Sequence, residues 1–258
     1  MSSLRGGATS EYATRPPADQ RASMNRLLAL ETSTDACSVA LRVGDELFVD
    51  HRETPRAHAR LLLPSIEALL SRAGIAGSQL DAVVYGRGPG SFTGLRIGCA
   101  VAQGLAFAHD LPTLGVSSLE VLAEAARSEH PDCVGVVTLL DARMDEYYGA
   151  AWRVHGPAHL EALVDDRVGT PEGITAALRA TMDEAAGTWL AVGDVADRIA
   201  WSATEARAVR VVPGLRPHAT ALLALATPRL EDGAERASQV RPVYLRDESR
   251  WRRQAPGG

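Results

Sequence analysis

The residues from Gly86 to Gly94, GRGPGSFTG, hold the densest chemical signal in the chain. Four glycines around Pro89 let backbone amides approach a ligand closely. The apolar helix expected next points its positive N-terminus at the loop, which suits a phosphate or another anion. A tight turn with no ligand uses the same glycines, and the segment is neither a Walker loop nor a GxGxxG fingerprint. Both readings stay open, with Gly88, Gly90, Ser91 and Thr93 as the candidate anion or nucleotide contacts. Ser91 stands where a helix N-cap is expected, and neither it nor Ser33 or Ser117 sits in a GxSxG elbow, so a nucleophilic serine is disfavoured.

Two acids form the second candidate constellation. LLALE, TSTD and ACSVALRV read as strand, polar turn and strand, and VGVVTLL, DARMDE and YYGAAWRV repeat that order. Glu31 closes the first strand of one copy and Asp141 that of the other. If the echo is a duplication, the two carboxylates face a cleft between similar lobes and could carry magnesium. Asp141, Arg143 and Glu146 make a compact charged turn, which holds a ligand or is simply solvated.

Other chemistries fall away on composition. Lys and Arg together number 27, and every one is Arg, so no Walker, Schiff-base or kinase-type lysine is available. Cys37, Cys99 and Cys133 are far apart, form no CxxC pair and are odd in number, which argues for a reducing compartment, expected to be the cytoplasm. His155 and His159 are split by Gly156-Pro157 and read as surface histidines, not a zinc pair. A net charge of -5 repels phosphate backbones and disfavours nucleic-acid binding by the chain alone. The longest apolar runs are far short of the ~20 residues a bilayer needs.

These residues must be held by elements. HARLLLPSIEALLSRAG places apolar residues at helical spacing, with Pro64 near the first turn or bending the helix. DAVVYG reads as a buried strand running into the glycine loop, and LRIGCAVAQGLAFAHD as the helix after it. Gly90, Gly94, Gly98, Ala102 and Ala106 make a ridge of small side chains every four residues, a surface for close helix packing within the chain or onto another. A strand at 112–116, a helix at 117–127, a helix near 171–180, a strand at 188–192 and a helix at 218–226 are expected. The domain reading is an extension at 1–23, a first lobe at 24–127, a second at 128–216, and at 217–258 a helix packing back on the first lobe with a polar tail. Arg246, Arg250, Arg252 and Arg253 make that tail basic.

Five segments, LLALETSTDACSVAL, HARLLLPSIEALL, GRGPGSFTGLRIGCAVAQGLAFAHDLPTLGVSSLE, LLDARMDEYY and PVYLR, together resemble the bacterial TsaB, or YeaZ, family in content and order, over residues 25–246. The resemblance implies an α/β, two-lobed fold of the actin, sugar kinase and Hsp70 (ASKHA) type with duplicated βββαβα-type lobes. It also implies a non-catalytic subunit that binds the paralogue TsaD and, with the ATPase TsaE, supports threonylcarbamoyl transfer to the adenosine beside the anticodon of tRNAs reading codons that begin with A. Catalytic relatives carry metal-binding histidines where this chain has Val116-Ser-Ser-Leu-Glu-Val-Leu122, so no metal site and no catalytic residue are expected. The resemblance places the partner contact on two helices, 60–73 and 91–107, pairing into a four-helix bundle through Arg60, Leu61, Ser65, Leu69, Gly94, Leu95, Gly98, Ala102 and Leu105. On it, tRNA is met only through the complex, ATP or ADP binds at most at the complex interface, and the chain alone forms a homodimer. Glu31 departs from the usual Asp, which puts a nucleotide role there in doubt. An independent ATPase or small-molecule kinase and a metallo-glycopeptidase are the competing readings.

Overall fold

The computed structural model describes residues 24–182, 187–202 and 205–246. The extension at 1–23 and the arginines Arg250, Arg252 and Arg253 lie outside them. Two five-stranded sheets form the frame. The first takes β1 (Arg26–Glu31), β2 (Ala36–Val43), β3 (Glu46–Glu53), β4 (Ala82–Gly88) and β5 (Thr113–Ser117) in the order β3-β2-β1-β4-β5. The second takes β6 (Gly135–Arg143), β7 (Glu146–Gly156), β8 (His159–Gly169), β9 (Trp189–Gly193) and β10 (Val209–Pro213) in the order β10-β9-β6-β7-β8. Numbered from its own first strand, each sheet reads 3-2-1-4-5, with strands 1 to 3 antiparallel and 1, 4 and 5 parallel. The echo in the sequence is therefore a duplication, and the chain has the two-lobed α/β fold of the actin, sugar kinase and Hsp70 type.

Side-chain alternation explains the layering. Along β1, Leu27 and Ala29 point to one face and Leu28 and Leu30 to the other, all fully buried, as a central strand covered on both sides requires. Leu28 and Leu30 meet α1 (His58–Ala73) and α2 (Phe92–His109), which lie side by side on the outer face of the first sheet. Leu27 and Ala29 join Val136, Leu140, Leu190 and Val192 of the second sheet in one core, filled by α3 (Ser118–Glu129) and α6 (Ala219–Ala226). The inner faces of the lobes therefore share a core, with α6 packed on β1, β2, β4 and β5. The outer face of the second sheet is covered by α4 (Pro171–Met182) through Ile174, Leu178 and Met182. Two one-turn helices, α5 (Glu205–Ala208) and α7 (Leu230–Gly233), and four three-residue 3-10 turns complete the described elements.

The structure sharpens three local expectations. β8 and β10 are strands that the pattern did not announce, because both are sheet edges: β8 buries only Leu160 and Val164, and β10 only Val209. Bulges between β7 and β8 break the alternation further. Pro64 lies inside α1, beyond its first turn, because the helix begins at His58. Each lobe ends in one more strand and helix than the βββαβα unit, giving βββαβαβα.

Candidate functional site

The turn between β1 and β2 fixes the first side of the site. Glu31 is buried, accepting from the Ser33 amide at 2.7 Å through Oε1 and from the Ser118 hydroxyl at 3.1 Å through Oε2. Burial pushes its carboxyl above the ordinary range, and the hydrogen bonds only partly offset this. Thr32 donates to the Gly94 carbonyl at 2.9 Å, and the Ser33 carbonyl accepts from the Ser91 amide at 2.6 Å.

This turn explains the glycines. A Cβ at Gly86 would overlap the Glu31 carboxylate, one at Gly90 the Ser33 backbone, one at Gly94 the Thr32 carbonyl and one at Gly98 the Thr32 hydroxyl. They let β4 and α2 press onto residues 31–33. Ser91 caps α2, accepting from the Gly94 amide at 3.3 Å. Of the loop candidates, Gly90, Ser91 and Thr93 line a cleft. Gly88 does not; it is pinned between Leu95 and the Val243 backbone.

The small-residue ridge faces the same way. Gly94, Leu95, Gly98 and Ala102 are buried against their own sheet, as are Ser65 and Leu69 of α1. Ser65 donates to Asp50 at 2.7 Å. These six are buried within the isolated chain, and the surface left beside them is carried by their neighbours. Leu61 and Leu105 are partly buried, and Arg60 is exposed. The outward faces carry other residues: Leu63 at 48% exposure on α1, and Ala100, Gly104 and Phe107, the last at 84%, on α2. A Cβ on Gly104 would meet only open space. A large apolar side chain on the polar face of an otherwise regular helix was the signal available for Leu63 and Phe107.

Across from the turn lies a cleft of about 400 Å³ between the lobes. Ser33, Thr34 and Asp35 form one wall, and Asp141, Arg143, Met144, Tyr148 and Asp194 the other. Only one of the two expected acids faces it. Counting from the first parallel rung, Leu27 with Ala82 and Gly135 with Trp189, Glu31 stands level with Leu139. β6 runs on past that level, so Asp141 reaches the rim while Glu31 stays sealed beneath it. Asp141 pairs with Arg143 at 3.1 Å and donates its amide to Asp194 at 2.9 Å. Burial raises the Asp194 carboxyl above its ordinary range, the Asp141 amide and Arg216 acting against it. Arg216 stands 3.8 Å from Asp194.

The stretch from Val116 to Leu122 is wholly buried. Ser117 caps α3, Ser118 holds Glu31, and Glu120 pairs with Arg229 at 2.5 Å. Its polar groups are consumed by caps and ion pairs. Among the described residues no group of three or more His, Cys, Asp or Glu is placed to hold a metal, and no helix is long and apolar enough to cross a membrane. His155 and His159 flank the β7–β8 turn with ring centroids 5.1 Å apart. The three cysteines are free and buried.

The family model described as TsaD, tRNA N6-adenosine threonylcarbamoyltransferase, matches residues 51–249. The tRNA threonylcarbamoyladenosine biosynthesis protein TsaB of Haemophilus influenzae is 34% identical over 244 residues, covering 88% of this chain and 96% of that protein. The Escherichia coli protein of the same name is 33% identical over 235 residues, covering 88% and 97%. The solved structure of YeaZ from Pseudomonas aeruginosa superimposes with a TM-score of 0.75 at 38% identity, covering 86% of this chain and all of that one. With the duplicated sheets, the glycine-packed turn and these matches over nearly its whole described length, the chain belongs to the TsaB (YeaZ) family.

Proposed function

We propose that this chain works in tRNA threonylcarbamoyladenosine biosynthesis as a non-catalytic subunit that docks on a TsaD-type partner through the outward faces of α1 and α2. The observation that carries this reading is the exposure of Leu63 and Phe107 on neighbouring helices, 48% and 84%, with small Ala100 and Gly104 on the same side of α2. Large apolar side chains left in water beside small residues suit close helix-on-helix packing, and roughly 1,600 Å² of buried surface makes a specific complex. The interface is therefore proposed on Arg60, Leu61, Leu63, Ala100, Gly104, Leu105 and Phe107. The same face supports a homodimer when the partner is absent. A TsaE-type ATPase completes the assembly, any ATP or ADP sits at the complex interface, and tRNA is met through the complex. The polar groups of 116–122, tied up in caps and ion pairs, support a supporting role over a catalytic one.

Reconstitution tests this. Substrate tRNA, the TsaD-type and TsaE-type subunits, ATP and an activated threonylcarbamoyl donor should yield modified adenosine only when this chain is added. Modification at full rate without it would contradict the reading.

One observation favours a second reading, an ATPase: Ser33 and Arg216, the latter 3.8 Å from Asp194, line a cleft that also holds three aspartates, Asp35, Asp141 and Asp194. Magnesium-dependent ATP hydrolysis by the pure chain, lost in Asp141→Ala, is the result that would establish it.

A further inference from the structure

After α7 the chain leaves the first lobe by a route that ties it to the second. Glu235 exchanges both backbone hydrogen bonds with Thr113 at the edge of the first sheet. Val240 is buried among the residues under α1 and α2, and the Val243 amide donates to the Arg87 carbonyl at 2.8 Å. Tyr244 then lies against α2: its ring centroid is 5.3 Å from that of Phe92, and its hydroxyl accepts from Arg96 at 3.1 Å. Two residues later the chain holds the other lobe. Arg246 donates to the Ala142 carbonyl at 3.1 Å, to the Arg143 carbonyl at 3.3 Å and to the Glu146 carboxylate through two nitrogens. Its side chain is 17% exposed, so these charge-assisted bonds are shielded from water. They fall on the β6–β7 turn, where Arg143, Met144 and Asp145 all have positive φ and none is glycine. That turn and Tyr244, Leu245 and Arg246 all line the inter-lobe cleft.

We propose that residues 235–246 are a clasp that sets the opening of the inter-lobe cleft, and that Tyr244 couples it to the docking face of α2. The coupling half rests on the function proposed above; the clasp half does not. Phe92 and Arg96, which hold Tyr244, are exposed on α2, the helix that carries Ala100, Gly104 and Phe107. A subunit seated on that helix reaches Tyr244, and the next two residues carry the displacement to Arg246 and the second lobe. By linkage, a ligand of the cleft changes partner affinity by the same factor as the partner changes that ligand's affinity.

Hydrogen exchange read by mass spectrometry on the full chain tests both halves. In Arg246→Ala, amides of 141–147 should exchange at least tenfold faster, with the central strands β1 and β4 unchanged. Arg246→Lys should recover only part of the protection, since an ammonium cannot serve two carbonyls and a carboxylate in the planar fork of a guanidinium. Unchanged exchange in Arg246→Ala overturns the clasp. Adding the TsaD-type subunit should alter exchange at 141–147 in the wild type and do so less in Tyr244→Ala. If the complex forms with no change there, the coupling is overturned while the docking function stands. If no complex forms, the docking function and the coupling fail together, and the single-chain measurement still decides the clasp.

Discussion

In the first lobe the opening strand stops at Glu31, and the acid is buried against Gly86 of β4. In the second, the equivalent strand runs on and delivers Asp141 and Arg143 to the cleft. The outer faces differ as sharply. The first sheet is roofed by two helices that leave Leu63 and Phe107 in water, whereas α4 turns Ile174, Leu178 and Met182 inward and carries none of the large exposed apolar side chains of the described residues. One strand order thus yields two different lobes: the first uses its turn for packing and leaves apolar side chains exposed on its roof, the face proposed for docking, and the second supplies Asp141, Arg143 and Asp194 to the cleft. α2 divides in the same sense, with an inner edge of glycines that admits no side chain and an outer edge that admits one freely.

The largest effect should come from breaking that division. Gly98→Leu pushes a side chain into Thr32, so it should destabilise the isolated chain by about 3 kcal/mol or more, near the top of the usual range for overpacking. Urea denaturation of the chain alone reads this directly. Partner affinity measured on the fraction still folded should change little beyond that loss.

Phe107→Asp probes the outer edge. Partner affinity should fall at least about tenfold, about 1.4 kcal/mol, while the stability of the isolated chain stays within about 0.5 kcal/mol. A drop in stability matching that of Gly98→Leu would erase the distinction between the two edges.

The layer between the lobes gives a pH signature. His218 begins α6, stacks on His51 with centroids 4.4 Å apart and is pushed down to about 4, by burial first and by His51 second. The unfolded chain takes a proton near the ordinary value of 6.5 while the folded chain resists it, so the unfolded state binds more protons in between. Stability from this group is complete above that ordinary value and is lost as pH falls toward about 4. His218→Asn keeps an acceptor for the Thr220 amide and should flatten the slope in that window, as seen in melting temperature against pH.

The smallest effect belongs to the second lobe's turn. Met144 holds φ 57° without being glycine, so Met144→Gly should leave stability within about 1 kcal/mol of the parent and shift it upward, relief of the left-handed strain outweighing glycine's greater chain entropy. Thermal denaturation checks the sign.

Much of this was legible in the residues themselves. The strands β1, β2, β4 and β6 are apolar runs because they are central, and the doubled strand, turn and strand gave away the duplication. β8 and β10 stayed hidden because an edge strand with one or two buried side chains resembles any polar segment. The site was read less well. A glycine every four residues marks a flat ridge, and nothing in the spacing tells whether a partner or the chain's own turn fills it; Thr32 does, through contacts across 62 residues of sequence. Glu31 looked like a cleft acid because strand length, not sequence order, decides which carboxylate reaches the rim.

The most direct test of the docking role is to mix the purified chain with the TsaD-type subunit of the same cell and measure mass by size-exclusion chromatography with light scattering, for wild type and Phe107→Asp. A one-to-one heterodimer that weakens in the variant is the expected result. Separate elution of the wild-type chains, with nucleotide and the TsaE-type ATPase present, would contradict it.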